Sequence, residues 1–303
     1  METDPLTALS RRTAALVAES AAHVVRVDGR RRGPASGVVW SSDGLVVTAH
    51  HVVERDEELE VGLPSGETVA AELVGRDPST DLALLRASAS GLAPAPWTDE
   101  PPAAGELLLA LSRPGVRPRA SLGLVARAAG EFRAAGGGRI DRWVEASLDV
   151  APGLSGSLVV GAAGTPVGLA SAGLVRGTIL VVPPATLRRV TGALLTHGGV
   201  RRGFLGVTTL PVRLPPSAAA RAGQECALLV SAVEDGSPAY RAGLLLGDAL
   251  LSLAGAPLAH AGDLLPLLEE ERIGQAVPVR LVRAGEVREL PVTVGARRGG
   301  GRP

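Results

Sequence analysis

From His23 to Val182 the chain runs in short aliphatic and β-branched stretches, each closed by glycine, proline or Asp-Gly. His23-Val24-Val25-Arg26-Val27, Gly37-Val38-Val39-Trp40 and Leu45-Val46-Val47-Thr48-Ala49 predict strands. Ser41-Ser42-Asp43-Gly44 supplies the hairpin turn before Leu45. Further strands are expected at 59–63, 68–73, 82–86, 107–112, 142–146, 158–160, 166–170 and 178–182, with 128–139 as a mobile loop. Many short strands between Gly/Pro turns restrict this region to an all-β sandwich or barrel.

Helices are expected only at the borders. Residues 5–22 read as a short amphipathic helix with Leu6, Leu9, Ala15, Leu16 and Ala22 facing inward. Residues 183–198 carry Leu187, Val190, Leu194 and Leu195 on one face and stop at Gly198-Gly199, closing the domain. A second pattern follows. It has strands at 227–233, 249–253, 277–283 and 286–294, a short helix at 239–242, a helix at 261–271, and a disordered Gly/Arg tail from 296 to 303. The expected division is 1–22, 23–198, 199–295 and 296–303, in keeping with about two domains for 303 residues.

Composition removes several classes of function. Aromatic residues make up 2% of the chain, so its cores must be built from Leu, Val and Ala. Every basic residue is arginine, and the net charge is zero, which argues against a nucleic-acid partner. The runs Arg30-Arg31-Arg32 and Arg297-Arg298 are expected on solvated surface. The single cysteine, Cys226, cannot form an intrachain disulfide and is expected as a buried filler. No apolar run approaches the ~20 residues of a membrane span. The acidic start lacks the pattern of a secretory leader. The sequence as written therefore predicts a cytoplasmic protein, or a periplasmic or extracellular one if the true start lies elsewhere. The scattered histidines predict no metal site, and nothing calls for a cofactor.

The chemistry lies in an order. His51 follows Thr48-Ala49, Asp81 precedes Leu82-Ala83-Leu84-Leu85, and Ser155 follows Pro152-Gly153. A serine hydroxyl needs an imidazole to take its proton and a carboxylate to hold that imidazole in the right tautomer. The order His, Asp, Ser is that of chymotrypsin-type β-barrel enzymes, not of α/β-hydrolases or subtilisins. Neighbouring His50 is expected to be exposed or packing, and Asp77-Pro78 to start a turn. The amides of Gly153 and Ser155 are the candidate oxyanion hole. Gly153-Leu154-Ser155-Gly156-Ser157 lacks the second glycine of a nucleophile elbow.

These segments together resemble the HtrA (Deg) family, over about residues 12–295. The carrying motifs are Ala35-Ser36-Gly37-Val38-Val39, the segments around His51 and Asp81, and Pro152 to Ser155. Gly203-Phe204-Leu205-Gly206-Val207, Ser237-Pro238-Ala239 and Gly247-Asp248 are similar to the family's second domain. The resemblance implies a mainly β fold, a chymotrypsin-like double β-barrel followed by an α+β PDZ domain. It implies Ser155 as nucleophile, His51 as base and Asp81 as orienter. It also implies a peptide C-terminus or hydrophobic strand docking at Phe204, Leu205, Gly206 and Val207 by β-augmentation.

The implied activity is a serine endopeptidase acting on unfolded or damaged polypeptides under control of PDZ binding. A homotrimer is expected by analogy, although no aromatic residue precedes Trp40. The chain also departs from the family. Leu154 stands where Asn is usual, Ser157-Leu158 replaces Gly-Pro, and Ile179 replaces a glycine of the specificity pocket, in which Asp149 and Ser171 are also placed. Asp149 raises the hypothesis of a basic P1 residue; Ile179 and the family's taste for small aliphatic P1 residues oppose it. Leu154 and Ser157 keep open a catalytically weak chaperone or adaptor that binds chain ends. A small-ester hydrolase fits neither the triad order nor the strand texture.

Overall fold

The computed structural model describes residues 4–31, 33–134, 136–260 and 262–298. They divide into two compact units, the first ending at Val200 and the second running Arg201–Arg298.

The first unit holds two closed six-stranded barrels. Barrel one comprises β1 (Val24–Asp28), β2 (Ala35–Val39), β3 (Leu45–Ala49), β4 (Leu59–Gly62), β5 (Thr68–Asp77) and β6 (Leu82–Ala87), in the order β1-β2-β3-β6-β5-β4. It is closed by β1 on β4, with Val27 opposite Val61. Barrel two comprises β7 (Leu107–Ser112), β8 (Arg119–Ala129), β11 (Trp143–Ala146), β12 (Leu158–Gly161), β13 (Pro166–Ser171) and β14 (Ile179–Val182). Between β8 and β11 lies a small hairpin, β9 (Phe132–Arg133) and β10 (Arg139–Ile140). Helix α1 (Pro5–Ser20) precedes the barrels, and α2 (Pro184–His197) follows them.

Continuous apolar runs can serve as barrel strands here because both faces are buried. Successive side chains point to opposite sides of a strand. Val25, Val39, Val46 and Leu85 fill the interior of barrel one, while their neighbours Val24, Val38, Val47 and Leu84 join a different core. That second core also takes Leu109, Leu111 and Leu158 from barrel two and Leu187, Val190 and Leu194 from α2. Leu108, Ala110 and Val159 turn the other way, into barrel two. The buried members of these cores are Leu, Val, Ala and Ile, as the low aromatic content requires. Trp40 and Trp97 pack against their edge, ring centroids 5.9 Å apart.

The second unit is an antiparallel sheet built from β16 (Val207–Arg213), β17 (Cys226–Val233), β18 (Ala249–Leu253), β20 (Ala276–Arg283) and β21 (Glu286–Thr293), in that order. The short β19 (Ala256–Pro257) pairs with β18. Helices α3 (Pro216–Ala222) and α4 (Pro238–Arg241) lie between strands in sequence. β15 (Arg201–Phe204) pairs with β22 (Gly295–Arg298).

Several expectations need correction. Of the inward positions assigned to α1, Leu16 is buried, but Leu6, Leu9 and Ala22 are exposed, because only the C-terminal part of the helix meets a core. The loop expected at 128–139 carries the β9–β10 hairpin. Among the described residues of the expected helix at 261–271 there is no α-helix; Leu265–Leu267 and Glu270–Arg272 are single 3-10 turns. Pro266 removes a backbone donor and clashes with the preceding turn, so an α-helix cannot run through it. The tail expected to be disordered is paired as a strand through Arg298, and residues 299–303 lie outside the described residues. Arg32 and the Arg297-Arg298 side chains also lie outside them, while Arg30 is held by the carbonyl of Gly33. Cys226 is half-buried rather than enclosed.

Candidate active site

The nucleophile segment and the His-Asp pair come from different barrels. His51 sits in a 3-10 turn, His50–Val52, immediately after β3. Asp81 stands one residue before β6. Because β3 and β6 pair antiparallel, with Ala49 opposite Leu82, the end of one strand brings His51 to the start of the other. Ser155 lies in the β11–β12 connection of barrel two.

Asp81 is buried and its carboxylate is fully engaged. His51 Nδ1 donates to it at 2.8 Å and 2.9 Å, and the His51 backbone N–H donates to Oδ1 at 3.0 Å. The His50 N–H donates to the Asp81 carbonyl at 2.9 Å. Ser171 Oγ donates to Asp81 Oδ2, and its own lone pair takes the Gly173 N–H at 3.1 Å. The Ser171 hydroxyl is thus committed to the carboxylate. With Nδ1 donating, Nε2 is left as the basic nitrogen. Asp81 has φ +55°, a left-handed conformation that Asp tolerates better than most residues. Asp77 holds this turn: it is fully buried and accepts from the Ser79 N–H, the Ser79 hydroxyl at 2.6 Å and the Thr80 hydroxyl at 2.7 Å.

Ser155 is 8% exposed, and its hydroxyl accepts from the Ala172 N–H at 3.3 Å. Among the described residues no hydrogen bond joins it to His51, a contact that often tightens only around substrate. Ala151-Pro152-Gly153-Leu154 forms a turn closed by Leu154 N–H to Ala151 C=O at 3.1 Å, with φ +85° at Gly153. Pro then Gly is the sequence that a type II turn demands. The N–H groups of Gly153 and Ser155 donate to no protein acceptor among the described residues. Two free amides beside a serine hydroxyl can stabilise an oxyanion.

The departures noted in the sequence have structural consequences. Leu154 is buried in the core of barrel two, so this loop is anchored by apolar packing. Ser157 is fully buried, and both its N–H and its hydroxyl donate to the Leu154 carbonyl. Ile179 is buried in the same core as Leu154. Asp149 is exposed, and its carbonyl accepts from the Ala151 N–H at 2.9 Å. Among the described residues no group of three or more His, Cys, Asp or Glu side chains gathers to hold a metal ion.

Among the described residues the His50 ring makes no hydrogen bond to the site through Nδ1. Burial, then the nearby Arg76 charge, lowers its pKa below the usual 6.5, and its Nδ1 is buried without a partner. Between the lowered folded value and 6.5 the unfolded chain binds the proton more readily, so stability rises with pH there and is lost on acidification. Urea midpoints should fall as pH drops through this window, and His50→Gln should flatten that slope. Equal slopes would show that His50 does not carry the effect.

In the second unit Leu205 is buried, and its carbonyl accepts from the Ala239 N–H at 2.8 Å. The Gly206 carbonyl accepts from the Glu234 N–H at 2.8 Å. Gly206 has φ +82°, and a Cβ there would lie 2.2 Å from Ser237 Cβ, so only glycine fits. Phe204, Gly206 and Val207, with Thr208 and Glu234, line a cavity of about 200 Å³. β16, which Val207 begins, is an edge strand of its sheet.

Residues 35–169 match the family model of the trypsin-like peptidase domain, and residues 203–294 match that of the PDZ domain. The chain has the HtrA-type architecture. The probable periplasmic serine endoprotease DegP-like of Pseudomonas putida is 31% identical over 268 residues, covering 86% of this chain and 55% of the relative. The same-named protein of Chlamydia muridarum is 29% identical over 267 residues, covering 86% of this chain and 53% of the relative. This chain therefore spans about half the length of the curated relatives it matches. The crystal structure of the serine endoprotease from Yersinia pestis superposes with a TM-score of 0.75 at 26% identity, covering 94% of this chain and 98% of that one. The HtrA-type protease AlgW with tripeptide gives 0.72 at 27% identity, covering 94% and 97%. The peptidase-domain match falls within the two barrels, and the PDZ-domain match includes the Phe204–Val207 loop.

Sequence reasoning singled out Ser171 for a substrate pocket, Ser157 as a departure in the nucleophile loop, Asp77 for a turn and Ser36 within a motif, but it did not foresee the buried hydrogen bonds that these four side chains make.

Proposed function

We propose that this protein is a serine endopeptidase that cleaves unfolded or damaged polypeptides, with its PDZ domain binding peptide C-termini or hydrophobic strands. The carrying observation is the His51–Asp81 pair, with Nδ1 committed and Nε2 left basic, together with a serine loop in which the Gly153 and Ser155 amides donate to no acceptor among the described residues. Ser155 Oγ attacks the scissile carbonyl and passes its proton to His51 Nε2. Asp81 stabilises the imidazolium. The Gly153 and Ser155 amides take the oxyanion. The protonated His51 gives its proton to the leaving amine, and water then repeats the sequence on the acyl-enzyme. The two free amides of the nucleophile turn weigh against a catalytically weak adaptor.

Substrate choice follows from the pocket. The bulky Ile179, standing where a glycine would leave room, supports small aliphatic rather than basic P1 residues. At the PDZ domain an extended peptide would add to the free edge of β16. A homotrimer is the expected assembly, read by light scattering. Among the described residues no helix is long and apolar enough to cross a membrane. The relatives are named as periplasmic, which supports a cell-envelope site of action, read by fractionation.

The test is hydrolysis of a denatured protein compared with a short-chain ester, with cleavage sites mapped by mass spectrometry. Cleavage of the protein after Val or Ala is expected, accelerated by a hydrophobic C-terminal peptide. Turnover of the ester alone would contradict the proposal, and cleavage mainly after Arg would contradict the pocket reading.

A further inference from the structure

We propose that the hydroxyls of Ser36 and Ser157 are positioning residues that hold the oxyanion turn formed in the resting protein. This inference rests on the endopeptidase reading above. Both side chains are fully buried, and each is aimed at one carbonyl of the nucleophile loop.

A peptide unit is planar and trans, so fixing its carbonyl fixes the direction of its N–H. The Leu154–Ser155 peptide carries the Ser155 N–H of the hole. Its carbonyl receives the Ser157 hydroxyl together with the Ser157 N–H at 2.9 Å. The Gly153–Leu154 peptide is held at both ends. Its carbonyl receives Ser36 Oγ at 2.7 Å, and its N–H bonds Ala151 C=O at 3.1 Å. With that peptide clamped and Gly153 at φ +85°, the direction of the Gly153 N–H is also set.

The proton of Ser36 has one place to go. The Arg113 N–H donates to Ser36 Oγ at 2.8 Å, which leaves the hydroxyl hydrogen for Gly153. Arg113 is itself fixed. Its buried guanidinium donates to the carbonyls of Ala21, Val24 and Val116, each at 2.7 Å. The Ser36 backbone is bound as well, through Thr48 Oγ1 on its carbonyl at 2.6 Å. The loop therefore rests on a hydrogen-bonded part of β2 that Arg113 ties to the connection following β7. Neither hydroxyl contacts the oxyanion, and both act through peptides that do.

A preset hole lowers the barrier without strengthening substrate binding, so its loss appears in kcat and not in KM. Removing a hole donor outright costs about 10²–10³-fold in kcat, and loosening one should cost about 10-fold or more. The experiment measures kcat, KM and the affinity of a peptide boronate, whose tetrahedral adduct occupies the hole. The variants are Ser36→Ala, Ser157→Ala and the pair combined, with Ser157→Cys as a variant that keeps volume and weakens the donor. Thermal unfolding identifies the variants that remain folded. The expected result is a fall in kcat of about 10-fold or more, a parallel loss of boronate affinity and a KM within about 2-fold. Wild-type rates and boronate affinity in the folded double variant or in Ser157→Cys would overturn the inference alone. A wild-type protein that neither hydrolyses peptide nor binds boronate would overturn the endopeptidase reading and the inference with it.

Discussion

Replacing Ser155 by Ala is expected to lower kcat for peptide hydrolysis by about 10⁶-fold, the scale on which loss of a triad nucleophile removes the benefit of the whole unit. The substitution removes one oxygen from a residue that is 8% exposed, an oxygen that accepts one long bond, from Ala172. Its effect on folding should therefore be small, and the loss should appear at full thermal stability. KM for a peptide, and PDZ binding of a C-terminal peptide, should remain close to wild type. Stopped assays with a peptide substrate, alongside a melting curve, check this. A Ser155→Ala protein retaining activity within 100-fold of wild type would mean that another group carries the chemistry.

Asp81→Asn is expected to lower kcat by about 10⁴-fold with little change in shape. Asn is isosteric, but its amide presents donors where the carboxylate accepted from His51 Nδ1, the His51 N–H and Ser171 Oγ. The imidazole then turns its hydrogen to Nε2 and cannot take the serine proton. The Ser171 hydroxyl, oriented by the Gly173 N–H, also loses its acceptor. Kinetics of Asp81→Asn and Ser171→Ala separate the two contributions. Ser171→Ala leaves the tautomer correct and should cost far less. Equal losses would place the effect in packing rather than in the tautomer.

The triad was legible because each member sits in a context with a physical cause. Thr48-Ala49 ends a doubly buried strand just before His51, Leu82–Ala87 begins the strand that pairs with it, and Pro152-Gly153 makes the turn before Ser155. The barrels were legible for a related reason: apolar runs buried on both faces have no helical period. Other elements could not be read so. α3 is a short alanine segment opened by Pro215-Pro216 and stopped by Gly223, with too little apolar pattern to reveal a helix. The 261–271 segment has the leucine spacing of a helix, but Pro266 decides otherwise. β22 pairs with β15 across most of the second unit, and such a contact leaves no local trace. Asp149 drew attention only by its spacing from Ser155, and it is exposed in the structure. Ser36 and Ser157 were visible only as motif neighbours, since a buried hydroxyl declares its role through its partner.

The most direct measurement is intact-mass analysis after incubation with a fluorophosphonate probe, comparing the wild type with Ser155→Ala and His51→Ala. The account predicts a single adduct on the wild type, mapped to Ser155, none on Ser155→Ala, and strongly slowed labelling on His51→Ala. No adduct on the folded wild type, with and without a hydrophobic C-terminal peptide, would contradict the assembled triad and leave a peptide-binding protein in its place.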